Sequence, residues 1–283
     1  MNSKLPLVSI RIPAYNHENF ILETLNSILE NEYPNKEVVI INDGSTDNTG
    51  VLIEKWIDEN KEKILVKYKS RENRGITFTI NEMISMCSGK YICGIASDDY
   101  LLENGITERV QYLENNPQKM AVFGDCIIVD QDSKLLYDSA IFDYYKANKN
   151  NYLDEKLLQN EIILNWAVPG PVLMVNRDLY NKFEISYNEK LAVEDWDMYL
   201  KLISKNLLGF INYPVSAYRL HNSNISLYKQ NKILKDRFKT IIYNIKFFKF
   251  AEKIKLILVG FKLIFTYVIR ILINLKKRIN HGI

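Results

Sequence analysis

Along the first hundred residues, short apolar runs alternate with longer stretches whose apolar positions recur every three or four residues. Leu7 to Ile12 is an apolar run of strand length, Glu18 to Glu32 carries helical periodicity, and the pair repeats as Glu37 to Ile41 and Asn48 to Asn60. Ile64 to Lys69, Ile76 to Cys87 and Tyr91 to Ala96 continue as strand, helix and strand. This alternation predicts an α/β protein with a mostly parallel sheet covered by helices, since parallel neighbours need a crossover that a helix supplies. Met120 to Val129 and Val172 to Val175 extend the sheet, and Asn165 to Pro171, rich in turn residues, reads as a loop before the second of them.

The polar clusters fall at particular points of this pattern. Pro13-Ala14-Tyr15-Asn16, Asn42-Asp43-Gly44-Ser45-Thr46-Asp47, Asn73-Arg74-Gly75 and Ser97-Asp98-Asp99 each follow a strand directly. In an open parallel sheet, ligands bind beyond the carboxyl ends of the strands, so four such clusters converge on one crevice. A nucleotide suits it, but the first turn, PAYNHENF, has no glycine and the chain has no G-x-x-x-x-G-K-[ST] motif. Neither a dinucleotide cradle nor a P-loop can therefore hold the phosphates. A hard divalent ion on paired carboxylates can do so instead, and Asp98 and Asp99 are the candidates.

Together these motifs resemble the family 2 inverting glycosyltransferases, which adopt the Rossmann-like glycosyltransferase A fold. The resemblance runs from about Pro6 to about Ser226 and includes VVIINDGSTDNT, Glu194-Asp195-Trp196 and Tyr218-Arg219-Leu220-His221. It implies that Pro13, Ala14 and Asn16 line the nucleotide pocket, that Asp43 hydrogen-bonds the base, and that Asn73, Arg74 and Gly75 frame base and ribose. It further implies that Asp98 lies near the ribose or donor sugar, that Asp99 and His221 hold Mn²⁺ or Mg²⁺, and that Asp195 is the catalytic base. Many relatives carry another Asp where this chain has Ala96. The donor implied is a nucleotide-diphosphate sugar of the UDP class, and the acceptor a saccharide or lipid-linked saccharide of surface polysaccharide assembly. The Q-x-x-R-W signature of processive members is absent, which points to transfer of one sugar.

Each residue also has an architectural use. Asp43 to Asp47 is good turn and cap chemistry, Asp99 and Asp195 can cap helices, and a lone histidine is commonly a satisfied structural group. A nucleotidyltransferase of related fold and a non-catalytic scaffold are the rival readings. The first lacks its Gly-rich loop here, and the second would show a broken base or metal motif.

Charge changes the picture at the carboxyl end. From Lys229 onward there are 14 Lys/Arg and two acids, against 23 and 32 before it, so a body of about −9 carries a tail of about +12. We therefore divide the chain into a catalytic unit, 1–228, and a basic amphipathic tail, 229–283. Ile254 to Leu275 has the length of a membrane span but contains Lys262 and Arg270, each costing about 2.5–3.5 kcal/mol at a bilayer centre. On a helical wheel Lys255, Lys262, Thr266, Arg270, Asn274 and Lys277 form a polar stripe interrupted by Val259, Leu263 and Ile273. A helix lying on an anionic membrane surface is expected, with docking on the protein's own core or on a second subunit as the alternative. Nucleic acid would leave the apolar residues unexplained. Three cysteines without metal or disulfide spacing, and no secretory signal pattern at the start, suit a cytoplasmic protein at the inner face of the cell membrane.

Overall fold

A computed structural model describes residues 5–191, 193–222 and 230–280, with side chains of the last segment described over 232–270. Its first half follows the predicted alternation. Strand β1 (Val8–Ala14), helix α1 (Ile21–Glu30), β2 (Lys36–Asp43), α2 (Thr49–Asn60), β3 (Leu65–Arg71), α3 (Ile76–Met86) and β4 (Tyr91–Gly94) succeed one another. β1, β2, β3 and β4 pair in parallel in the order β3-β2-β1-β4. The register sets Ala14 beside Asn42 and Asp43 beside Arg71, so the polar clusters emerge along one edge.

The sheet then continues through strands of mixed direction. β5 (Tyr100–Leu101) and α4 (Gly105–Asn115) precede β6 (Ala121–Val129) and β7 (Leu135–Tyr137), and β8 is Leu173–Asn176. β8 pairs antiparallel with both β4 and β6, and β6 pairs parallel with β9 (Leu208–Arg219). β9 reaches far enough to pair also with β5, which follows the Ser97-Asp98-Asp99 turn, so the end of β9 lies against that turn. β5, β7 and β9 were not foreseen. β5 and β7 are too short to show a period, and β9 mixes apolar positions with Asn212 and Pro214.

Between β7 and β8 lie α5 (Lys149–Leu153) and α6 (Glu155–Leu164); α7 (Asp178–Lys182) and α8 (Glu194–Ser204) follow β8. Two apolar cores flank the sheet. One packs α1 and α2 on β1 and β2 through Ile21, Leu25, Ile28 and Trp56. The other gathers α3, α6 and α8 through Met83, Ile162 and Trp196.

The basic tail forms α9 (Gln230–Asn244) and α10 (Phe250–Asn280), and its inner side joins this second core through Ile241, Phe248, Leu256, Val259 and Leu263. Val259 and Leu263, two of the three breaks in the polar stripe, are thus docking contacts, and Lys255 beside them donates to Asn160 at 2.5 Å. The opposite side of α10 is apolar and open. Phe250, Ile254, Ile257, Leu258, Phe261, Ile264, Phe265, Val268 and Ile269 are all at least 39% exposed. At about 100° per residue they cover some 140° of the circumference. Among the described residues, no helix is long and apolar enough to cross a membrane.

Candidate active site

The loop after β2 is held by the loop after β3. Gly44 has φ +78°, and a Cβ there would lie 2.6 Å from the Asn73 backbone nitrogen, so only glycine permits the approach. Asn73 Nδ2 donates to the Asp43 carbonyl at 2.8 Å. The Asp43 carboxylate, 4% exposed, accepts from the backbone N–H of Arg74 at 2.9 Å and of Gly75 at 3.1 Å, and also pairs with the Arg71 guanidinium. Gly75, with φ +86°, turns its N–H into this bond. Arg74 itself lies over the Phe78 ring, 3.3 Å from its centroid. Three protein donors leave part of the acceptor capacity of Asp43 for a ligand N–H. Arg71 and Phe78 are members of this corner that the sequence reading missed.

The loop after β1 is locked to the same structure. Asn16, in the left-handed region at φ 53°, accepts from the Thr46 N–H at 2.8 Å, and its own N–H donates to Ser45 Oγ at 3.0 Å. Pro13 and Ala14 complete the end of β1, Ala14 fully buried. Asn16 is thus seen bracing the Ser45-Thr46 turn.

The Asp98-Asp99 step divides differently from expectation. Asp99, expected at the metal, is turned inward: it is 2% exposed and its Oδ1 accepts the Arg219 N–H at 2.9 Å. Burial, reinforced by the charge of Asp98, pushes its carboxyl well above the usual range. Asp98, expected near the ribose or donor sugar, stands with two imidazoles. Its Oδ2 is 2.9 Å from His221 Nε2 and 3.6 Å from His17 Nε2. Burial pushes the Asp98 carboxyl upward, but the His221 hydrogen bond and the two imidazoles outweigh it and hold the group below its ordinary value. The turn closed by the Asp99 N–H on the Ala96 carbonyl at 3.2 Å sends the two carboxylates to different partners, Asp98 to the histidines and Asp99 to the backbone of β9.

Arg219 fixes this arrangement. It is 1% exposed, and its guanidinium donates to the Asp98 carbonyl at 2.8 Å, to Ser133 Oγ at 2.8 Å and to Glu23 at 2.5 Å. From β9 it binds the turn to α1, while Phe20 packs on His221 with ring centroids 4.8 Å apart. One ligand atom each from His17, Asp98 and His221 lies within 4.8 Å of the others. One carboxylate and two imidazoles are a donor set that fits a divalent metal ion.

Asp195 stands in the first turn of α8, beside Glu194. Burial raises the Asp195 carboxyl, only partly opposed by the charge of Arg11, and burial together with Asp195 pushes Glu194 up to about 8. A Cβ on Gly170 would come 4.0 Å from Asp195 Oδ2, so the 165–171 loop, given no part in the sequence reading, lies against this carboxylate. Trp196 is fully buried and donates to the Ile162 carbonyl at 2.9 Å, anchoring the helix.

Chains with this sheet and these strand-end clusters define the glycosyltransferase A class. The fold matches Staphylococcus aureus TarS 1–349 in complex with UDP-GlcNAc at a TM-score of 0.68, 17% identity, covering 92% of this chain and 73% of that one. It also matches the mannosyltransferase PcManGT of Pyrobaculum calidifontis, in complex with GDP-Man and Mn²⁺, at a TM-score of 0.64, 18% identity, covering 86% and 65%. Residues 9–181 match the glycosyl transferase family 2 model, and the chain belongs to that family.

Among curated relatives it is 28% identical over 223 residues to an uncharacterized glycosyltransferase of Rickettsia typhi (strain ATCC VR-144 / Wilmington), covering 78% of this chain and 66% of that protein. It is 27% identical over 223 residues to Escherichia coli UDP-Glc:alpha-D-GlcNAc-diphosphoundecaprenol beta-1,3-glucosyltransferase WfgD, covering 78% and 79%. The chain spans between 30% and 66% of the length of three Rickettsia glycosyltransferases among its relatives.

Proposed function

We propose that the protein transfers one sugar, with inversion, from a nucleotide-diphosphate sugar of the UDP class to a saccharide or lipid-linked saccharide acceptor in surface polysaccharide assembly. The observation that carries this reading is the pairing of Asp98 with His221 at the ends of strands whose neighbouring loops build the Asp43 corner. A carboxylate that accepts N–H bonds suits uracil, whose N3 carries a hydrogen. Pro13, Asn16, Asn73, Arg74 and Gly75 then surround base and ribose, with fully buried Ala14 backing the end of β1 beneath them.

Asp98 and His221 would hold Mn²⁺ or Mg²⁺, which supplies positive charge against the negative charge that develops on the leaving diphosphate. Asp99 keeps the turn in register through its bond to β9. Asp195 takes the acceptor hydroxyl's proton as that oxygen attacks the anomeric carbon opposite the leaving group. Its burial raises its basicity toward the operating range of a general base. With both carboxylates in place, the scaffold reading has no broken motif in its favour.

The open face of α10 supports membrane attachment. Its apolar side chains are flanked by Lys246, Lys249, Lys253 and Lys262, so apolar burial and attraction to anionic lipid act together. WfgD acts on a diphosphoundecaprenol-linked substrate, and an acceptor of that kind would place the enzyme peripherally at the inner face of the cell membrane.

The test is transfer from a panel of nucleotide-sugars to a synthetic lipid-diphosphate saccharide in vesicles, with the anomeric configuration of the product read by NMR. One inverted linkage per acceptor supports the reading. A retained configuration, or hydrolysis without transfer to any acceptor, contradicts it.

A further inference from the structure

His17 is the third member of the Asp98 and His221 cluster, and it comes from a different strand end. Its backbone N–H already donates to Thr49 Oγ1 at 2.8 Å, so the loop after β1 is anchored without the ring. Its Nδ1 is 2.8 Å from Ser97 Oγ, whereas its Nε2 faces Asp98 Oδ2 at 3.6 Å, beyond hydrogen-bond distance. An imidazole that gives one ring nitrogen to a neighbouring oxygen and leaves the other facing a carboxylate and a second imidazole has the arrangement of a metal ligand. The two rings meet edge to face, with centroids 5.8 Å apart, so both Nε2 atoms approach Asp98 without stacking on each other.

We infer that His17 is a metal ligand alongside Asp98 and His221, and that this two-imidazole, one-carboxylate set makes the site select Mn²⁺ or another transition ion over Mg²⁺. The inference rests on the metal role proposed above for Asp98 and His221. Mg²⁺ prefers oxygen donors and gives up its waters reluctantly, so each imidazole that replaces an oxygen disfavours it. Imidazole suits Mn²⁺ less than it suits Zn²⁺ or Co²⁺ but better than it suits Mg²⁺. Ser97 then acts as the outer partner that fixes the His17 tautomer and ring direction.

The experiment counts nitrogens. The full chain is loaded with Mn²⁺ in the presence of UDP, and pulsed electron paramagnetic resonance reads ¹⁴N couplings to the ion. Wild type is expected to show two imidazole nitrogens, with His17→Gln and His221→Gln showing one each. Mn²⁺ affinity, followed by the free-ion signal, should fall in His17→Gln by at least the ~10-fold that loss of an outer partner alone costs, with Mg²⁺ affinity changing far less. The wild-type spectrum needs no variant and stands even if a substitution impairs folding.

A single imidazole nitrogen in wild type overturns the two-imidazole set, and its persistence in His17→Gln, or unchanged Mn²⁺ affinity in that folded protein, overturns the role of His17 and leaves that of His221 intact. Absence of any bound Mn²⁺ in wild type overturns both this inference and the metal role on which it rests.

Discussion

Replacing Phe261 and Phe265 together by serine should release the protein from anionic membranes without unfolding it. The two rings are 65% and 67% exposed on the open face of α10. A phenylalanine offers about 150–250 Å² of surface, so each turns roughly 100–170 Å² outward. At about 25 cal/mol per Å², complete burial of that surface is worth about 2.5–4 kcal/mol per ring, and burial of half of it at an interface about 1–2 kcal/mol. The pair therefore contributes about 2–4 kcal/mol, roughly a 30- to 700-fold change in partition.

The assay is cosedimentation with vesicles of phosphatidylcholine containing phosphatidylglycerol, with pure phosphatidylcholine as the charge control. Thermal melting should be unchanged in the double variant, because these rings point away from the core. Leu263→Ser, on the docked face, should instead lower stability by about 2–5 kcal/mol. Undiminished vesicle binding by the double variant would refute the reasoning. So would a wild-type dimer in solution that these substitutions dissociate, since the open face would then belong to a second copy.

Asp195→Asn should lower kcat by about 10²- to 10⁴-fold while leaving nucleotide binding intact, as expected for loss of a general base. Because burial raises the Asp195 carboxyl, the acid limb of kcat/KM in wild type should lie above the ordinary carboxylate range. Glu194 titrates near 8 in the fold against 4.5 unfolded, so the native state holds the extra proton between these values. Its contribution to stability is full below about 4.5 and is lost as pH rises through about 8; Glu194→Gln should flatten that part of a melting-temperature profile. Asp197, fully buried, pairs with Lys201 at 2.5 Å and accepts from Asn244 of α9 at 2.6 Å. Asp197→Ala removes the carboxylate from both, while Lys201 keeps the Ser186 carbonyl at 2.7 Å and Asn244 keeps the Thr240 carbonyl at 2.9 Å, and should cost about 1–3 kcal/mol in denaturant unfolding.

The parallel half of the fold was legible because β1, β2 and β4 are buried on both faces and its helices keep one apolar face, so each leaves a clear pattern. Strand-end clusters then located the crevice, since topology alone places them on one edge. The order of Asp98 and Asp99 was not legible. Two equal carboxylates on consecutive residues of a turn carry no signal of which takes which partner, and the choice depends on β9, more than a hundred residues later in the chain. His17 was missed for a related reason, since a lone histidine in a polar turn gains meaning only when His221 is brought beside it. In the tail the helical wheel showed two faces but not which one docks. Val259 and Leu263 looked like flaws in a polar stripe until α6 and α9 supplied their partners.

The central claim, that Asp98 and His221 hold an ion serving a nucleotide diphosphate bound at the Asp43 corner, is tested most directly by calorimetric titration of UDP with and without Mn²⁺ on wild type and Asp98→Asn. The account predicts metal-strengthened binding in wild type that is lost in Asp98→Asn, with the metal-independent component preserved in both. Equal UDP affinity with and without Mn²⁺ in wild type, or a metal effect that survives the substitution, would contradict it.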